Sequence, residues 1–495
     1  MKLTKKKVFQ VLIIATLFAE MYTLILGRWL DNDIYFMLSM GRYIEKNGAP
    51  TINPFFLGHE IKTLVPQWLY DVIVFEIQDK IGYVGIFVTI FAILLIGIFF
   101  LYKTARLHNV DPFVAMLLVA AYFYINTGII NIRANLLSAV LCIIQLYLME
   151  RYAKNSKIRF LIPLPLISLL EINLHCSIWP MHLCIMAAYI CPQFRLPLKI
   201  KRHDYKLKPL IYTTAIMFEA GLVNPYGFDA MMFLRDGISE ETKMLIAEMG
   251  AASMDSGELV GMLICAGVLL HLLTKRETYY QYFYLFLGWF ILGTQYSRNF
   301  VWGYLGILML AFQMLHDTDF SKTYEKVTPK KWVGFLPFVL FFAVILLCKP
   351  KMKMPGDEDM STPYGAIEYI QAHSPEGAAV LTEYNDGGFF QWYGYKTFLD
   401  PRADGYMPGY TGGYDIIHEY LQAIYLGDWN TMKTIIEKYD FDYAYVYSST
   451  KWEHYFAQSD EYECVYECQR KKDAVGRDVA KTDTIRGKLY MRIRK

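Results

Sequence analysis

The chain has 495 residues, 55% of them apolar and only 19% charged, against roughly 45–50% and about 25% in ordinary soluble domains. The excess is gathered into runs such as GIFVTIFAILLIGIFFLY (85–102) and GFLPFVLFFAVILLC (334–348), long enough to cross a bilayer as helices, which excludes an ordinary soluble protein. A net charge of +2 gives no sign of a nucleic-acid partner, and none is expected.

In chain order, MKLTKKKVFQVLIIATLFAEMYTLILG (1–27) has the basic head and apolar body of a signal peptide. Its apolar run is too long and no small-residue cleavage site follows, so it reads as an uncleaved first span. RWLDNDIYFMLSMGRYI (28–44) comes next. Ile34, Met37, Leu38, Met40 and Ile44 form a broad apolar stripe at helical spacing, which predicts a short helix lying in the membrane interface. APTINPFF breaks it, and TLVPQWLYDVIVFEIQDK restarts a second helix whose Trp68 and Tyr70 suit the headgroup layer. Asp31 and Asp33 sit where the span ends and the interfacial helix begins. One carboxylate is enough to cap that helix, a part Asp33 fits; a second beside it gains little and repels the first.

Spans are expected near 8–27, 82–102, 112–128, 135–150, 159–174, 178–192, 209–223, 257–274, 280–295, 300–316 and 333–348, with the pair around Pro180 open to being one broken hairpin. With the N-terminus cytoplasmic, Lys and Arg crowd the inside loops, most densely in RLPLKIKRHDYKLK, and are nearly absent outside. The expected architecture is therefore an α-helical polytopic membrane protein of about eleven spans, residues 1–348, with an outer loop at about 28–81. A linker at 349–360 and an extracytoplasmic α/β domain at 361–495 follow.

Two arginines break the charge rule: Arg133 in INIRANLL and Arg298 in GTQYSRNFVWG lie on the outer side. Glu20, Glu171 and Glu219 fall in the outer halves of their spans. An ionised group at the centre of a span costs on the order of 2.5–3.5 kcal/mol, so such residues face a cavity or a partner. With Asp31, Asp33 and His175 they share one depth near the outer face. His175 and His182 lie seven apart with Pro180 between them and read as polar lining or packing.

Beyond the last span, STPYGAIEYIQAHS opens with a hydroxyl cap and Pro363 in the first turn of a helix. AAVLTEY, KTFLD, YAYVYS, YECVYE and KLYMRIR read as strands, and YDIIHEYLQAIYL and WNTMKTIIEKY as helices, an alternation that suggests a compact α/β domain. DPRADGY sets Asp400, Arg402 and Asp404 just past a strand, where ligand groups are common, although turn chemistry and a local Arg–Asp pair explain it as well. Cys464 and Cys468, four apart, are a weak disulfide or metal signal.

DNDIYFMLSMGRYIEKNGAPTINPFF…PQWLYDV resembles the first outer loop of bacterial GT-C membrane glycosyltransferases and their uncharacterised relatives: a span, an acidic motif, an interfacial helix with Gly-Arg, a Pro-containing loop and a Gln-Trp-Leu helix. IRANLLS, EINLHCSIWP, LVNPYG, SRNF and GGFFQWYGYKTFLDPRADGY follow in the shared order. Where many relatives carry an aromatic and a histidine after the acidic pair, this chain has Phe36 and Met37. The resemblance implies inverting transfer of a hexose or pentose from a polyprenyl-phosphate sugar on the outer side of the plasma membrane. Asp33 or Asp31 would be the general base, or would bind a divalent cation such as Mg or Mn. Arg133 and Arg298 would hold the phosphate, with Glu171, His175 and Glu219 shaping the pocket and Asp400 and Arg402 as further substrate contacts. The other readings are a transporter or flippase of lipid-linked glycans, and a catalytically inactive scaffold of the same fold.

Overall fold

A computed structural model describes residues 5–28, 30, 32–58, 60–193, 204–236, 267, 279–295, 300–315, 363–375, 377–406, 408–411, 413, 415–469 and 485–493. Asp31, Arg298, the side chains of Glu20 and Asp404, the expected spans 257–274 and 333–348, and the linker 349–360 lie outside them. The fold is mostly helical with one small sheet, and the chain divides into two compact units.

The first unit comprises residues 1–29, 87–231 and 248–352. Its helices include α1 (Lys5–Arg28), most of α4 (Tyr83–Leu107), α5 (Pro112–Ile125), α6 (Asn135–Asn155), α7 (Leu164–Leu174), α8 (Trp179–Ile190), α9 (Leu207–Ala220), α10 (Tyr280–Gln295) and α11 (Phe300–Met314). Each coincides with an expected span, but among the described residues two helices, α4 and α6, are long and apolar enough to cross a membrane. The chain around Pro180 forms two helices, with Pro180 in the first turn of α8, where a proline costs no hydrogen bond. Motif residues here close turns: Asn224 Nδ2 donates to the carbonyls of Gly221 (2.8 Å) and Gly227 (3.0 Å), and Asn173 Nδ2 reaches Val223 O (2.9 Å).

The second unit joins residues 30–86 and 232–247 to 353–495. Its sheet runs β2–β1–β3–β5–β4, from β1 (Ala379–Thr382), β2 (Lys396–Thr397), β3 (Tyr443–Tyr447), β4 (Tyr462–Gln469) and β5 (Ile485–Arg492). β1 is parallel to β2 and β3, and β5 is antiparallel to β3 and β4. Residues 55–57 extend the β2 edge: Thr397 N donates to Phe55 O (3.1 Å) and Leu57 N to Thr397 O (3.2 Å). Phe56 thereby enters a core with Phe398, Tyr406, Tyr439 and Phe441. Cys464 and Cys468 are free thiols on β4, the first exposed and the second buried.

Helix α2 (Asp33–Asn47) shows what its sequence left hidden. Besides the apolar stripe, Tyr35, Phe36, Ser39 and Gly41 are buried, so the helix is enclosed from Ile34 to Gly41. On one side lies α3 (Trp68–Ile81), approached at Gly41, where a Cβ would collide with Asp71 O and stand 2.7 Å from Phe75 Cβ. On another lies α13 (Gly387–Trp392), reached by way of α12 (Tyr364–His373) and β1; a Cβ on Gly388 would stand 2.9 Å from Phe36 N. Arg42 fixes the register by donating from Nη2 to Trp392 O (2.6 Å) and lying over the Trp392 ring at 4.3 Å. Gly41→Ala forces two backbones apart, and thermal melts in detergent should show it destabilised by about 1–3 kcal/mol. Gly128→Ala, with no atom within 4 Å of its Cβ, should melt like the parent.

Two expected caps differ. Asn32 occupies the cap position of α2 without a side-chain capping bond, and Asp33 is the first helical residue, where its charge complements the helix dipole. Pro363 itself is the cap residue of α12.

Candidate active site

Asp33 heads α2, half-buried, one turn before Phe36 on the same side of the helix. The Phe36 ring lies 5.5 Å from the Arg402 guanidinium, so the segment behind Asp33 rests on a buried charge cluster. Asp400 is fully buried at its centre. It accepts from Arg402 Nε (2.8 Å), Arg402 Nη2, the Arg402 amide (2.9 Å), Tyr406 OH (2.6 Å) and Gln391 Nε2 (2.8 Å). Burial pushes the Asp400 carboxyl up, but the Arg402 charge and these hydrogen bonds outweigh it and hold it below the usual carboxylate range. Burial likewise lowers Arg402, but Asp400 raises it further, so the pair is ionised.

Asp71, on α3, approaches the same arginine. It is fully buried, takes one hydrogen bond from Gln67 Nε2 (2.9 Å), and leaves Oδ2 without a partner. Burial drives its carboxyl well above the usual range against the pull of Gln67 and Arg402. Asp71 falls within QWLYDV, where a lone aspartate in a helix carries no local signal of burial.

A second cluster lies past the carboxyl end of β1, at the parallel edge of the sheet where such folds gather ligand groups. Glu383 accepts from the Tyr447 amide (3.2 Å) and Tyr420 OH (3.3 Å). Asp386, one turn on, takes Arg486 Nη2 at 3.2 and 3.3 Å. Burial, with Asp386 adding to it, pushes the Glu383 carboxyl up to about 7 from an ordinary 4.5; Asp386 is raised by burial against Arg486. In the folded state both hold their protons more tightly than in the unfolded chain. For Glu383 the stability this confers is complete below pH 4.5, falls as the pH rises toward 7, and is lost above it, with a slope of up to about 1.4 kcal/mol per pH unit. Urea melts of Glu383→Gln between pH 4.5 and 7 should show a shallower slope than the parent.

Within the first unit, polar side chains form a seam across α6, α7 and α8. Ser138 Oγ meets His175 Nδ1 at 3.1 Å, and Cys142 Sγ meets His182 Nε2 at 3.7 Å. Gln145 Nε2 donates to His182 O (2.9 Å), and Glu171 Oε2 lies 3.3 Å from His182 Nε2. Glu171 is thus paired with His182, and His175 with Ser138. Glu219 is exposed, and Arg133 is half-buried in the turn before α6, its amide donating to Asn131 Oδ1 (2.9 Å). A further group was missed: Glu150 Oε2, buried, lies 3.1 Å from His108 Nε2 and accepts from Tyr282 OH (2.6 Å). Among the described residues no group of three or more His, Cys, Asp or Glu side chains is arranged to hold a metal ion.

The fold is similar to that of a known glycosyltransferase. The cryo-EM structure of arabinofuranosyltransferase AftD from Mycobacteria matches it with a TM-score of 0.52 and 11% sequence identity. The likeness covers 100% of this chain and 40% of the other, so the chain spans well under half the length of that protein. At this identity the likeness speaks for the fold alone, and it agrees with the resemblance to GT-C glycosyltransferases drawn from the sequence. No family model matches the sequence, and no curated protein matches it.

Proposed function

We propose that this chain is a membrane glycosyltransferase that moves a sugar, with inversion, from a polyprenyl-phosphate donor to an acceptor on the outer face of the plasma membrane. The observation that carries the reading is the AftD-like fold over the whole chain. AftD is an arabinofuranosyltransferase by name, which favours a pentose among the sugars considered. The apolar face of α4 supports the membrane setting: Val88 (58%) and Phe99 (55%) are exposed while Ile90, Leu94 and Leu101 are buried, a pattern that costs free energy in water and none in lipid. The reading keeps about eleven spans over residues 1–348, a cytoplasmic N-terminus, a linker at 349–360 and an extracytoplasmic domain at 361–495.

In the reaction, Asp33 or Asp31 takes the proton from the acceptor hydroxyl as its oxygen attacks the anomeric carbon. The bond from that carbon to the phosphate oxygen breaks, and the polyprenyl phosphate leaves with the electron pair. Arg133 and Arg298 offset the charge gathering on the phosphate through their planar forks of donors. Glu171, His175 and Glu219 shape the donor side. The Asp400–Arg402 pair holds α2, and so Asp33, in place. In the alternative role for the aspartates, they bind Mg or Mn. Reconstituted in proteoliposomes with a labelled polyprenyl-phosphate sugar, the chain should form a new glycosidic product. Label crossing the bilayer with the sugar still on its lipid would mean a flippase, and phosphate-lipid binding without either would mean a scaffold.

A further inference from the structure

Outside these clusters, the second unit has a cavity of about 350 Å³ between the start of α15 (Trp429–Tyr439), which follows α14 (Ile416–Leu421), and the start of α16 (Lys451–Ala457). That volume falls in the range of small-molecule sites. One wall is aromatic: Trp429 is 45% exposed, and its ring lies 5.0 Å from that of Tyr455. The exposed part of the indole is flat apolar surface that a ligand ring can stack on. The rest of the lining is polar, with Ser449, Thr450, Lys451, Glu453 and His454.

The loop between β3 and α16 is built to hold this shape. Ser449 has φ +66°, a left-handed conformation rare for a residue with a side chain. Thr450 Oγ1 donates to Tyr447 O (2.7 Å) and accepts from the Glu453 amide (3.2 Å). Gly427, at φ +60°, leaves room that a Cβ would take from the Lys451 side chain. Glu453 is anchored by Lys488 Nζ (3.1 Å) and Tyr490 OH (3.3 Å).

One flat aromatic face with hydroxyl, imidazole, ammonium and carboxylate groups around it matches a particular ligand chemistry. A sugar ring presents C–H groups on a face and hydroxyls, each both donor and acceptor, around its edge. An apolar ligand would leave the polar lining unpaired. We infer that this cavity is a glycan subsite, in which Trp429 stacks on a sugar ring whose hydroxyls bond Ser449 and His454 Nδ1, His454 Nε2 meeting Gln458 Nε2 (3.1 Å), with Thr450 Oγ1 only accepting. Naming that sugar as part of the acceptor rests on the glycosyltransferase reading; that the cavity binds a sugar does not.

The test uses the full chain in nanodiscs and a panel of arabino-, xylo-, manno- and gluco-tetraoses. At least one tetraose should bind. Trp429→Ala should weaken it by about tenfold or more, Trp429→Phe much less, and His454→Ala measurably. Both side chains are exposed, so the melting temperature should stay near the parent's. A short-chain polyprenyl-phosphate sugar should not compete, since the donor lies elsewhere. No binding across the panel, equal affinity in Trp429→Ala, or competition by the donor lipid would overturn the inference. Binding needs no catalysis, so tetraose binding without sugar transfer would sink the proposed reaction and leave the subsite standing. Transfer with an unchanged acceptor KM in Trp429→Ala would remove the acceptor assignment and leave the reaction standing.

Discussion

Arg402→Ala should destabilise the second unit by about 3–5 kcal/mol, because it leaves the Asp400 carboxylate buried without its counter-charge. The same change removes the cation beneath Phe36 and the charge facing Asp71, so the support of α2 goes with it. The fully buried pair should tolerate Asp400→Asn better than Arg402→Ala. With Asp400 neutral, Arg402 still faces the Asp71 carboxyl, whose charged form it favours. Asp71→Asn should cost little, since burial disfavours the Asp71 charge and Oδ2 has no partner to lose. The buried thiol of Cys468 on β4 gives a local readout. Labelling of Cys468, resolved by mass spectrometry, should speed up sharply in Arg402→Ala and barely in Asp71→Asn.

With Asp33 as the base, Asp33→Asn should lower sugar transfer by about 10²–10⁴-fold, the usual contribution of a general base, while the protein folds and accumulates normally. The substitution keeps the shape of the side chain at the first position of α2. It removes a favourable charge at a helix N-terminus, worth about 0.3–1 kcal/mol, too little to unfold the unit. Donor binding should survive, because the role lies in moving a proton from the acceptor. A fall in kcat at unchanged donor KM separates this from damage to the fold.

Some of this was open to sequence reading. Apolar runs foretold the helices that the structure describes, since helix formation in an apolar run is a local matter. The alternation of strands and helices beyond residue 361 was likewise local, and β1, β3, β4 and β5 fall where it placed them. The surroundings of α2 were not readable. Its stripe predicts one buried face, but its other faces are covered by groups far along the chain. Arg42 bonds Trp392 O across 350 positions, and Tyr35 OH meets Tyr364 OH (3.1 Å) across 329. The DPRADGY motif carried a signal of polar chemistry, yet the partners that saturate Asp400 are Gln391 and Tyr406 as well as Arg402. Asp386 and Arg486, 100 positions apart in the sequence, meet only once the sheet is assembled.

The most direct measurement is the initial rate of sugar transfer from a labelled polyprenyl-phosphate sugar in proteoliposomes, for the parent, Asp33→Asn and Asp31→Asn at equal abundance. A glycosidic product from the parent and a loss of two or more orders of magnitude in at least one aspartate variant is the predicted result. No product from the parent, or full activity in both variants, would contradict it.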